Sequence, residues 1–313
     1  MQTWALIKDS FREAIDRKLF WVMLAISILI ALGMACFGFD EKGISVLFGT
    51  WQWESPDLSV GSPIRDAALA GVLTHVLADM FLGWIGLGLA LISTAGMFPS
   101  LMEKGTVDVL LSKPLRRWHL FLGKYAGGMI FILLQSAVFV TLTFLVAGVR
   151  WKLWLWPYFW AIPLFLVLFS YLYCFTVLFG ILTRNGLTSL LLTLVAWFVI
   201  WAPQAAYESF QQVPELQAYD SWYRAVSTTR AVLPKTREIP FIAGKLLRAD
   251  SPSRWVDTED PDLTETERGM IRDAREAEDV LGDVGIPWSI GSSLAFEAVI
   301  VLLAGWRFCR RDF

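Results

Sequence analysis

The stretch LWLWPYFWAIPLFLVLFSYLYCFTVLFGILTRNGLTSLLLTLVAWFVIWAPQAA, residues 153–206, holds one charged residue, Arg184. Crossing about 30 Å of hydrocarbon takes roughly 20 apolar residues at 1.5 Å each. Segments 153–183 and 186–206 both reach that length, and only Arg184 and Asn185 separate them. Two helices joined so tightly run antiparallel through a bilayer. Trp151, Trp154, Trp156 and Trp160 cluster where the first of them leaves the membrane, as an aromatic belt requires. Four more segments pass the same test: 19–37 with no charge, 72–98 with His75 and Asp79 near its start, 120–149 with Lys124 at its edge, and 286–306 interrupted by Glu297. The expected fold class is an all-α membrane protein with six transmembrane helices.

Composition agrees. The 313 residues are 56% hydrophobic and 18% charged, whereas soluble domains keep roughly a quarter of their residues charged. Lys plus Arg number 27 and Asp plus Glu 29, a net charge of −2, so no strong field invites nucleic acid. Cys36, Cys174 and Cys309 are far apart and form no C-x-x-C pair, which argues against a disulfide framework or a zinc site. Two histidines, His75 and His119, leave little for a metal centre.

Segment 19–37 reads as a retained anchor, because the residues before it mix acids with bases and no small-residue cleavage site follows. With the N-terminus inside, the inner ends and short inner loops hold 12 Lys and Arg and the short outer loops 4. This places both termini in the cytoplasm. Residues 1–18 form an expected amphipathic helix at the inner interface, with Trp4, Ile7, Phe11, Ala14 and Ile15 on one side. Residues 19–206 are the first five spans. Residues 38–71, with Trp51 and Trp53, read as an irregular cap anchored at the interface. Residues 207–285 form an extracytoplasmic loop region with 16 acids and 10 bases. Within it, 241–247 is too short to span and reads as interfacial or re-entrant. Segment 262–281 reads as a surface helix capped by Asp260 and stopped by Gly282. Residues 286–313 are the last span and tail.

No G-x-x-x-x-G-K-[ST] phosphate loop, H-E-x-x-H or G-x-S-x-G occurs in the sequence, so the chain is read neither as its own ATPase nor as a familiar hydrolase. The informative polar segment is 102–125, between the second and third spans. Gly105 frees the backbone, and Thr106 can cap a short helix with Val107, Leu110 and Leu111 on one side. Ser112-Lys113-Pro114 ends that helix, and Pro114 suits the start of another. Arg116 and Arg117 stay at the surface, with Trp118 at headgroup depth. A short helix joined rigidly to two spans can transmit a push from a soluble partner.

Glu103-x-Gly105-Thr106, Leu110-Leu111-Ser112-x-Pro114, Arg117 and Gly123-Lys124-Tyr125 resemble the type-2 ABC exporter permeases. The suggested subgroup includes the permease of nitrous-oxide-reductase maturation systems. The ending Gly305-Trp306-Arg307-Phe308-x-Arg310-Arg311-Asp312-Phe313 is similar to that family's last span and basic tail. The resemblance implies that 103–118 is a coupling helix docking on an ATPase, through Glu103, Gly105, Thr106, Leu110, Leu111, Ser112, Pro114 and Arg117. It also implies a second permease copy, identical or not, and ATP and Mg bound by the partner ATPase, with no cofactor on this chain. The expected location is the cytoplasmic membrane, and the expected activity is export of a substrate the sequence does not name. The alternative is a membrane scaffold or assembly factor that binds an extracytoplasmic partner through 207–285. An intramembrane enzyme fits less well, since no catalytic spacing is visible.

Charges inside spans are functional candidates because each is costly there. His75 and Asp79, four residues apart, present one helix face toward the outer end of the second span. Glu297 sits mid-span, where a protein partner such as Gln135 or a backbone group, or a place on the translocation path, would account for it. Gly83, Gly86, Gly88 and Ala90 would allow close helix packing.

Overall fold

The computed structural model describes residues 18–40, 43–47, 50–54, 69, 71–73, 76–102, 116–212, 220–249, 268 and 286–310. The expected N-terminal helix and the expected helix at 262–281 lie outside these residues, apart from Arg268.

Six apolar segments form the bundle. Helix α1 (Lys18–Cys36) runs straight into a small sheet, β1 (Phe37–Asp40), β2 (Gly43–Val46) and β3 (Trp51–Glu54). The second span starts as a π-helical turn (Val76–Phe81) and continues as α2 (Trp84–Ala95) and α3 (Met97–Leu101). Helix α4 is Arg117–Arg150. A 3₁₀ turn (Trp156–Trp160) leads into α5 (Ala161–Thr183), and α6 follows at once (Gly186–Gln212). Two shorter helices, α7 (Asp220–Val232) and α8 (Glu238–Ala249), precede α9 (Ile286–Cys309). Five segments are long and apolar enough to cross a membrane, and Phe20–Cys36 is a shorter apolar helix.

Helix α5 is the centre, packed against α2, α4, α6 and α9. Its Leu168, Phe169, Leu172, Cys174 and Val177 are buried. Phe81 stacks on Phe139 at 4.1 Å and on Phe165 at 4.3 Å, joining the second span to α4 and α5. The outward faces of α1, α6 and α9 are apolar. Leu29 of α1, Leu187 and Val195 of α6 and Leu302 of α9 are all more than half exposed. Bare aliphatic faces of that extent suit hydrocarbon rather than water.

The turn between α5 and α6 is as tight as expected. Arg184 takes a left-handed conformation (φ 56°) and ends α5. The Asn185 side chain then accepts from the backbone N–H of Leu187 (2.9 Å) and Thr188 (3.2 Å), capping α6.

Three expectations need correction. The second span is not one helix over 72–98: it is broken at Leu82 and Gly83, and Gly86 lets α2 approach the Phe81 carbonyl, where a Cβ would collide. Gly88, read as part of the same packing stripe, has no neighbour that a Cβ would touch. The outer cap, read as irregular over 38–71, holds among its described residues a three-stranded antiparallel sheet in the order β1-β2-β3. Register puts Phe37, Val46, Trp51 and Trp53 on one face and Gly38, Ser45 and Gln52 on the other. Arg150 of α4 holds the second face, donating to Ala35 O (3.3 Å) and Ser45 Oγ (3.1 Å), while Trp151 donates to Phe37 O (2.9 Å). Lys124, near the start of α4, is buried.

Candidate functional site

At the end of the bundle that holds the Arg184–Asn185 turn, the two anchors of the polar segment meet. Met97, Phe98, Pro99 and Leu101 of α3 are buried, as are Leu120 and Phe121 near the start of α4. Phe98 and Phe121 lie 5.5 Å apart between ring centres, and Phe121 also meets Trp118 (5.4 Å) and Phe308 (6.0 Å). A Cβ on Gly305 would run into the Trp118 ring, so α9 passes close against α4 here. Arg117 donates to the Cys309 carbonyl at 3.2 Å. The corner between α2 and α3 presses on α6, since a Cβ on Gly186 would touch the backbone of Gly96. The polar segment therefore leaves and rejoins a rigid floor built from α2, α3, α4, α6 and α9. Glu103, Gly105, Thr106, Leu110, Leu111, Ser112 and Pro114 lie outside the described residues, and Arg117 is the one candidate of that set with a described side chain.

Inside the bundle, Glu297 is half-buried near the middle of α9, about 16 Å from its first residue and about 18 Å from its last at 1.5 Å per residue. Its Oε1 accepts from the Tyr125 hydroxyl of α4 (2.8 Å) and its Oε2 from the Ser170 hydroxyl of α5 (2.7 Å). The expected pairing with Gln135 is not found. Gln135 lies ten residues, about 15 Å, further along α4 than Tyr125. It reaches Ser27 of α1 instead, at 3.4 Å. Around the carboxylate, Tyr125 stacks on Tyr173 (5.0 Å) and Tyr173 on Phe169 (4.9 Å). His75 lies outside the described residues. Asp79 falls in the π-helical turn, and its side chain is outside them.

At the opposite end lies a polar clasp that the sequence reading did not identify. Gln204 of α6 is buried. Its Nε2 donates to Pro234 O (2.6 Å) and Ile200 O (3.2 Å), and its Oε1 accepts from the Arg237 N–H (3.0 Å). The Lys235 N–H donates to Ser293 Oγ (3.0 Å) and Lys235 Nζ to Ser292 Oγ (2.6 Å). Glu238 pairs with Arg230 (2.6 Å) and accepts from Ser289. Ile239, Ile242 and Ala243 of α8 are buried, so the clasp holds a helix sunk into the mouth of the bundle. Burial lowers the Lys235 ammonium below its usual value of 10.5. The charge of Glu238 opposes that shift and Arg230 reinforces it. One signal was available beforehand: Ser289, Ser293 and Glu297 recur every four residues, a polar stripe on one face of α9. Beside the clasp, α6 and α7 enclose an open apolar groove of about 500 Å³ lined by Phe198, Val199, Pro203, Trp222 and Val226. Among the described residues no group of His, Cys, Asp and Glu could hold a metal ion.

The sequence model of the ABC-2 family transporter protein matches residues 4–313, nearly the whole chain. No curated protein matches it.

Proposed function

The chain belongs to the ABC-2 family of transporter proteins, and from that premise we propose that it is the permease subunit of an ATP-binding-cassette exporter. ATP is hydrolysed, with Mg, by a nucleotide-binding subunit outside these 313 residues, which contain no phosphate loop. The family match over 4–313 in a chain of about six apolar spans is the observation behind this reading. Two permease copies and two ATPase subunits assemble, and the cargo passes at the interface between permeases. Both termini face the cytoplasm, so the α3–α4 floor faces the ATPase. Residues 103–118 receive its stroke: a segment tied at both ends to a packed floor passes displacement to the second and third spans together. The clasp and the sheet face the exterior.

The test is co-expression with a candidate ABC ATPase subunit from the same source, using variants at Gly105, Leu111 and Pro114. Each variant is expected to fold and insert while losing complex formation or ATPase stimulation. Complex formation and stimulation at the unaltered level in all three would remove the assignment. ATP hydrolysis that moves no solute in reconstituted vesicles would replace export with an assembly role.

A further inference from the structure

The buried face of α9 is polar over much of its length. Ser289 and Ser293 are buried on it, and Glu297 continues the same stripe toward the middle of the membrane. Across from it, α5 presents Ser170, Tyr171 and Cys174. The Tyr171 hydroxyl is buried, with the Ser293 side chain as its hydrogen-bonding neighbour. It stands beside Ser293, close enough to Glu297 and Glu238 to feel both charges. Ser293 is one helical turn from Glu297 on α9, and Ser289, one turn the other way, donates to Glu238.

The two carboxylates differ in setting. Glu238 sits at the mouth of the bundle against Arg230, whose side chain is a quarter exposed, with Lys235 nearby. Glu297 is held by two hydroxyls and, among the described residues, has no cationic partner. The other titratable groups facing it are Tyr125 on α4 and Tyr171 and Cys174 on α5. Ionisable groups within a membrane are typical of proton relays, and a phenol can accept a proton on its oxygen while giving up its own.

We propose that Glu297 is a proton-exchange site, connected to the aqueous phase at the Glu238 end of the bundle through the Tyr171 hydroxyl and the Ser289–Ser293 face of α9. The step balances: one O–H bond breaks on the donor at the clasp, each intermediate hydroxyl loses one and gains one, and one forms on Glu297. A proton taken from water at the clasp ends on a Glu297 oxygen, and the reverse path returns it. Tyr125 and Ser170 donate to the carboxyl in either state. This concerns the spans alone and needs no ATPase, so it stands or falls separately from the coupling assignment.

The test is infrared difference spectroscopy on the full chain in lipid nanodiscs, stepped between about pH 4 and about pH 10. A protonated-carboxyl C=O band is expected that fades as pH rises and is absent in Glu297→Gln. Tyr125→Phe and Ser170→Ala each remove one donor and shift its frequency, which assigns the band even if Glu297→Gln does not fold. Tyr171→Phe is expected to keep the band but slow its hydrogen–deuterium exchange by at least about tenfold, as loss of a relay member does. A Glu297 carboxyl that never changes protonation over this range would overturn the proposal. So would exchange in Tyr171→Phe at the wild-type rate, which is what a purely structural tyrosine would give.

Discussion

Gln204 illustrates how a single side chain fixes a loop at the mouth of a membrane bundle. Both ends of its amide are in use: the nitrogen serves two carbonyls and the oxygen one N–H. Gln204→Leu keeps the approximate volume and removes every one of these bonds. The Pro234 carbonyl and Arg237 N–H then lose a buried partner, at a cost of about 1–3 kcal/mol each. Thermal unfolding of the purified chain is expected to shift down, with the α7–α8 corner more open to protease. Lys235 gives a prediction of opposite character. Its folded value lies below the ordinary lysine value, so the folded chain holds this proton less readily than the unfolded chain does. Between the lowered value and 10.5 the unfolded state binds more protons, and stability rises with pH. Below that window the penalty is constant. Lys235→Met is expected to remove this rise, read as the difference between wild-type and variant unfolding curves across alkaline pH. Parallel curves would mean that Lys235 keeps its ordinary affinity for the proton.

At the scale of elements, close helix contact is set by particular glycines rather than by glycine content. A Cβ at Gly128 of α4 would strike the Tyr173 hydroxyl of α5, whereas one at Gly291 of α9 would meet nothing within 4 Å. Gly128→Ala is therefore expected to destabilise by about 1–3 kcal/mol through overpacking. Gly291→Ala is expected to be neutral or to stabilise by up to about 1 kcal/mol, from the helix preference of alanine alone. Thermal melts of the two variants side by side check both, and equal shifts would show that the α4–α5 contact has slack. The same contrast explains what could be read beforehand. Spans were legible because crossing hydrocarbon constrains composition over some 20 residues, a signal that survives any packing arrangement. The sheet was not, because its strands are four residues long and its alternation, as in Trp51-Gln52-Trp53-Glu54, gives only two repeats of the pattern. The break in the second span was hidden because Leu82-Gly83 is as apolar as its surroundings. Glu297 stood out by its cost, but Tyr125 and Ser170 could not be named as partners, since which helices meet at one depth is a tertiary outcome.

For the whole molecule, the arrangement in the membrane can be tested with the protein's own thiols. Cys36 closes α1 beside the sheet, and Cys309 closes α9 beside Arg117; both are partly exposed. Cys174 is buried inside α5 and stays silent while the bundle is intact. The sheet is clamped to the far end of α4 by Arg150, and Arg117 at the near end reaches Cys309. The 34-residue helix between them is about 50 Å long, more than the hydrocarbon thickness of about 30 Å. Cys36 and Cys309 are therefore expected on opposite sides of the bilayer, whichever way the chain is inserted. In the proposed orientation the Cys309 end, rich in Lys and Arg, faces the cytoplasm. An impermeant maleimide added to intact cells is expected to modify the single-thiol form that keeps Cys36. The form that keeps Cys309 should react only after the membrane is opened. The reverse pattern would invert the molecule and turn the α3–α4 floor outward, leaving residues 103–118 beyond reach of any cytoplasmic ATPase. Modification of both thiols in intact cells would mean that the floor and the sheet do not face opposite compartments, and the six-span count would fail with it.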